Sequence, residues 1–164
     1  EADYWLDPAA LAKAPAGAKE FFKIARDSTA PYVAAGRFKT FAAGQSPLPG
    51  LVEATLEAGH TPGSTTYRFT SQQQSIVFMG DLVHNLAVQF LHPEVSIGFD
   101  VNSQQAISSR QAVFSAAAAS KTWVTAAHLP FPGIGHITAE GKHFQWVPVE
   151  YGPYKRAAKV PLIE

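Results

Sequence analysis

A layered α/β or α+β domain is what the 164-residue sequence predicts, on three observations: a helical opening, a change of texture near residue 46, and an alanine-rich helix set between short strands. The first forty residues read as helical. Pro15 suits a first helical turn, Phe21, Phe22, Ile24, Ala25 and Val33 supply an apolar face, and Gly36 stops the pattern. Ser46-Pro-Leu-Pro-Gly50 is a turn cluster, and from Leu51 the chain becomes short runs rich in Val, Ile, Phe, Tyr and Thr. Strands are expected at 51–58, 65–71, 75–80, 122–127, 136–139 and 143–149, the last two joined as a hairpin through Ala139-Glu-Gly-Lys142. Between the third and fourth, Asn102 or Ser103 caps a helix running through Ile107, Arg110, Val113 and Phe114 into Ala116 to Ala119. The proline-bearing stretch 151–164 reads as a tail, so the expected organisation is a helical region 1–45, a sheet-and-helix body 51–150 and that tail.

Composition narrows the function classes. Thirteen Lys and Arg against thirteen Asp and Glu leave a formal charge of zero, which argues against a nucleic-acid partner. Hydrophobic residues at 46% with 16% charge describe a chain that fills a core rather than a disordered one. No apolar run approaches the roughly 18 residues of a membrane span, so no membrane partner is expected. The absence of cysteine removes disulfides, cysteine-ligated zinc and thiol nucleophiles together.

The informative pattern lies at the ends of three strands. Leu51 to Gly59 runs into His60, Ser75 to Gly80 into Asp81, and Thr122 to Ala127 into His128. In layered α/β sheets strand ends line up along one edge, where ligands bind, so residues far apart in sequence meet there. Imidazole nitrogen and carboxylate oxygen suit Zn, Mn, Co or Fe, and three such ligands with a position left for water make a catalytic site. The alternative reading is that each is ordinary: Gly59-His-Thr-Pro-Gly63 is also a good turn, with Pro62 and Gly63 at its centre.

Gly59-His-Thr-Pro-Gly-Ser64, Phe78-Met-Gly-Asp-Leu-Val-His-Asn85 and Ala127-His-Leu-Pro-Phe-Pro-Gly-Ile-Gly-His136 resemble the last three metal-ligand motifs of the metallo-β-lactamase-fold hydrolases. The long third motif is most similar to the methyl parathion hydrolase group. The resemblance implies the C-terminal half of an αββα sandwich, one mixed β-sheet with helices on its outer face. It implies two divalent ions, zinc first with Mn, Co or Fe fitting too, Asp81 bridging them, and His60 and His128 on one ion each. A bridging water or hydroxide is then the nucleophile, attacking a small ester, lactone or phosphotriester substrate, and Asp81 is the residue catalysis depends on most. The family's His-x-His-x-Asp-His motif is absent: the six histidines, at 60, 84, 92, 128, 136 and 143, include no pair two residues apart. The chain therefore reads as half of such a hydrolase, expected to pair with the N-terminal half of the fold or with a second copy of itself. Relatives of this type are often exported, which favours a periplasmic or secreted protein over a cytoplasmic one.

Around these ligands, His84 is a candidate partner to a ligand, and Ser64, standing where many relatives have a second histidine, is another. Phe131 and Phe90 are candidate walls of a substrate pocket, with core packing the default for a chain of 11 Phe. His136, His92 and His143 read as structural or surface residues, Trp123 and Trp146 as sheet packing. Two other functions stay open: a mononuclear enzyme using His60, Asp81 and His128 on one ion, and a metal-free binding or structural domain in which the motifs are only turns.

Overall fold

The computed structural model describes residues 1–150, so the expected tail 151–164 lies outside the described residues. The opening is helical but broken. Asp7 caps a short helix, its carboxylate accepting from the Ala9 and Ala10 amides at 2.9 and 3.1 Å, with Pro8 in the first turn. The elements are α1 (Ala2–Trp5), α2 (Pro8–Lys13) and α3 (Lys19–Ala34). Pro15 does not begin the long helix as expected; it precedes a single 3₁₀ turn at Ala16–Ala18, and α3 starts after it. Gly36 does end α3, at φ +66°, while the Arg37 amide reaches the Tyr32 carbonyl at 2.8 Å and the Gly36 amide the Val33 carbonyl at 3.0 Å. Of the apolar face expected on α3, only Phe22 is buried, packed against the rings of Tyr4 and Trp5; Phe21, Ile24 and Val33 are exposed.

Six strands form one mixed sheet in sequence order: β1 (Val52–Leu56), β2 (Thr65–Ser71), β3 (Gln74–Phe78), β4 (Trp123–Thr125), β5 (Ile134–Glu140) and β6 (His143–Pro148). Only β3 and β4 run parallel, and the crossover between them holds the short helix α4 (Leu86–Gln89) and the long helix α5 (Ser103–Ser120), which packs on β5. Asn102 is the cap of α5, accepting from the Gln105 amide at 3.1 Å. The expected hairpin between β5 and β6 is present, with Gly141 at φ +62°. The β2–β3 hairpin turns through Gln72 and Gln73, both at positive φ, without the glycine or asparagine that would have announced it.

The register sorts the two sheet faces. Val77, Val124, Ile137 and Phe144 point to the side of α5 and form the core with its Val113, Phe114 and Ala117. Leu56, Ile76, Phe78, Trp123 and Val147 share the other face, where Leu56, Phe78, Trp123 and Val147 are exposed. Among the described residues that apolar face has no full cover. No helix of the described residues is long and apolar enough to cross a membrane.

Candidate metal centre

Strand ends position the candidate ligands. The β3–β4 ladder is shorter than the runs predicted for these strands, yet the Met79 amide still reaches the Thr125 carbonyl at 2.8 Å and the Ala127 amide the Gly80 carbonyl at 3.2 Å. These two bonds carry Asp81 and His128 out of the sheet side by side. His60 comes after β1 in a loop that Ser64 closes, its hydroxyl 2.9 Å from the Thr61 amide and 2.7 Å from the Thr61 hydroxyl. Ser64 thus acts on the loop beside His60. Gly59 stands at φ +143°, and a Cβ there would overlap the backbone of Ala106 on α5, so only glycine lets the loop approach that helix. The Val101 and Asn102 amides hold the His60 and Gly59 carbonyls at 3.1 and 2.9 Å.

The structure brings His60, Asp81, His84 and His128 together. His60 Nε2 is 3.6 Å from Asp81 Oδ2, His84 Nε2 is 3.9 Å from the same oxygen, and His128 Nε2 is 3.5 Å from Oδ1. The His84 ring lies between the other two, with centroids 4.6 Å from His60 and 4.7 Å from His128. One donor atom each from His60, Asp81 and His84 lies within 4.8 Å of the others. Burial first, and then the neighbouring His60 and His128 rings, push the His84 pKa below its ordinary value, which favours the neutral imidazole.

Asp100 is the member that the sequence pattern did not single out. Its carboxylate, 1% exposed, accepts from His60 Nδ1 at 3.1 Å through Oδ1 and from the Ile97 amide at 3.1 Å through Oδ2. That bond leaves His60 Nε2 as the lone-pair nitrogen, turned to Asp81. The signal for Asp100 in the sequence is slight: an acidic residue two positions before a helix cap.

These residues fit divalent cations. The donors are imidazole nitrogen and carboxylate oxygen, the set that Zn and its neighbours take. Separations of 3.5 and 3.6 Å are too long for good hydrogen bonds. Two donors about 2.1 Å from one tetrahedral ion stand about 3.4 Å apart, close to the spacing of the His128 and His60 imidazoles from the carboxylate. His84 Nδ1 is buried without a hydrogen-bond partner, an orphan that a cation or a water there would satisfy.

The other predicted residues separate. Phe131, three residues after His128, is 81% exposed. Phe90 is 2% exposed and stacked on Phe114 at 4.6 Å, so the structure places it in the core with no open surface toward a substrate. His136 lies on β5 with its Nδ1 3.2 Å from the Thr122 carbonyl and its ring 3.9 Å from Trp123. The His92 and His143 rings meet each other, His143 bonding the Leu91 carbonyl.

Among solved structures, the hydrolase AbOPH of the beta lactamase superfamily is similar at a TM-score of 0.85 and 37% identity, over 93% of this chain and 53% of that one. AidC, a dizinc quorum-quenching lactonase, shares the fold at a TM-score of 0.80 and 23% identity with the same coverages, 93% and 53%. A probable metal-dependent hydrolase from Staphylococcus aureus shares it at 0.57 and 19%, over 71% of this chain and 42% of that one. No family model matches the chain, and no curated protein matches it. The chain spans about half the length of AbOPH and AidC. With three ligand-type motifs at strand ends, one mixed sheet backed by α5 and this likeness to AbOPH, the chain has the fold of metallo-β-lactamase superfamily hydrolases and corresponds to the C-terminal half of that fold.

Proposed function

We propose that the protein carrying this chain is a metal-dependent hydrolase of small esters, lactones or phosphotriesters, in which His60, Asp81 and His128 are this chain's ligands to a pair of divalent ions, zinc first. The observation that carries the reading is the placement of Asp81: one carboxylate oxygen is turned to the His128 imidazole and the other to His60, so this one side chain would be available to ions on both sides. The dizinc lactonase among the fold neighbours supports a paired centre. Ions held there supply a lowered water pKa and an electrophilic clamp on a carbonyl or phosphoryl oxygen.

This chain's own residues then have separable tasks. Asp81 presents an oxygen to each side, and the Gly80 and Met79 backbone bonds to the β4 edge keep it there. Asp100 holds the His60 ring in one tautomer and one orientation. His84 fills the space between the two imidazoles as a neutral ring. Phe131, three residues after His128, offers an exposed aromatic surface for an apolar substrate group. The open apolar sheet face is covered by the remaining half of the fold, a second copy of the chain being the other occupant to test.

The test is elemental analysis of the intact protein purified without chelator. The reading expects about two divalent ions per molecule of the intact protein, and activity that a chelator removes and added Zn²⁺ restores. One ion per molecule supports the mononuclear site instead, and none supports a metal-free binding domain. Asp100→Ala is expected to lower metal affinity about 10–100-fold, read by competition with a chromogenic chelator. Unchanged affinity would remove Asp100 from the site.

A further inference from the structure

The segment from Asp81 to Asn102 carries Asp81, His84 and Asp100, yet only its short helix α4 is regular structure. Two buried polar side chains hold it. Gln89, 1% exposed, accepts with Oε1 from the His84 amide at 2.7 Å and the Asn85 amide at 3.1 Å, and donates with Nε2 to the Val95 carbonyl at 3.0 Å. Arg110, also 1% exposed, reaches across from α5. Its Nε donates to the Leu82 carbonyl, one residue after Asp81, and its Nη1 to the Pro93 and Val95 carbonyls, each at 2.8 Å. Both side chains thus meet at the Val95 carbonyl: Arg110 ties residues 82, 93 and 95 to α5, and Gln89 ties residues 84 and 85 to that same carbonyl.

Burying an arginine on backbone carbonyls is an expensive way to stabilise a fold, since apolar residues fill a core at lower cost. What the guanidinium does, and an apolar side chain does not, is fix three carbonyls at defined distances in one plane. We infer that Gln89 and Arg110 are positioning residues for the metal centre: through the backbone of 82–95 they set where Asp81 and His84 stand relative to His60 and His128. The inference rests on the metal-centre reading, and neither side chain touches a ligand atom.

The experiment uses the intact protein and Co²⁺ as a spectroscopic probe. Gln89→Leu leaves the His84 and Asn85 amides without their acceptor, and Arg110→Lys keeps a charge but loses the planar fork. Both are expected to weaken Co²⁺ binding about 10–100-fold and to alter its visible absorption bands. Gln89→Glu, which keeps an acceptor for the His84 and Asn85 amides but loses the donor to the Val95 carbonyl, is expected to recover part of the affinity. Ile137→Ala, a variant on β5 that removes apolar core packing but none of the hydrogen bonds of the segment, is expected to lower stability while leaving affinity and bands unchanged. Gln89→Leu and Arg110→Lys that bind Co²⁺ as the parent does would overturn the inference. So would an Ile137→Ala that weakens binding equally for the same loss of stability. A parent that takes up no Co²⁺ defeats the metal reading itself. Amide exchange then decides the positioning role: His84 and Asn85 exchange at least about tenfold faster in Gln89→Leu if it holds, and at the parent's rate if it fails.

Discussion

Asp81→Ala in the intact protein is expected to lower kcat/KM by on the order of 10³-fold or more, and to reduce the bound metal at both positions. Losing one supporting group at a metal site costs about 10–100-fold, and a carboxylate that serves two ions is lost to both at once. His60→Ala and His128→Ala each remove one imidazole facing one carboxylate oxygen, so each is expected to cost less than Asp81→Ala and to release metal from one side only. Stopped assays under saturating Zn²⁺, run with elemental analysis of the same samples, separate these outcomes. Equal losses in all three variants with bound metal unchanged would sink the assignment of Asp81 as the shared ligand.

Arg110→Ala is expected to be the most destabilising substitution on α5. It strands the Leu82 and Pro93 carbonyls in the interior and leaves Val95 with Gln89 alone. Each buried group without a partner costs about 1–3 kcal/mol, and the space left by the side chain adds to that, so a total of about 4 kcal/mol is reasonable. For a protein of this size or larger that corresponds to a fall in Tm of about 10 °C. Arg110→Met separates the causes: it fills most of the volume and restores none of the hydrogen bonds. If Met recovers the parent's Tm in a thermal melt, packing alone explains the loss and the carbonyl anchoring contributes nothing to stability.

Elements with a periodic or compositional signature were legible before the structure. The strand runs carry β-branched and aromatic residues between turn clusters, α5 has a capping Asn102 and an alanine tract, and the β5–β6 turn has Gly141. The ladders match those runs within a few residues; β3 and β4 end two residues early, while the Met79 and Ala127 amides keep the chains paired up to Asp81 and His128. The β2–β3 turn gave no such signal because Gln72 and Gln73 enter the left-handed region without the residue types that do so cheaply. The buried face of α5 was hard to read for a related reason. Ala106, Arg110, Val113, Phe114 and Ala117 sit at helical spacing, but an arginine in that row looks like a solvated position until its carbonyl partners are known.

By itself the sequence determined the kind of site: ligand-type residues placed directly after strands, in motifs whose order and spacing resemble one family. That information is local, because each motif is a strand and the short turn after it. Which groups complete the site was decided only by the tertiary structure. Asp100 and His60 are bonded across the β1-to-α5 loops, His84 is wedged between two imidazoles, and Gln89 and Arg110 bond carbonyls of an irregular segment. Phe90, an equally good aromatic candidate beside Phe131 in the sequence, went to the core for the same kind of reason. Contacts between a side chain and a distant loop backbone obey neither the 3.6-residue nor the two-residue period, so no pattern in the chain announces them.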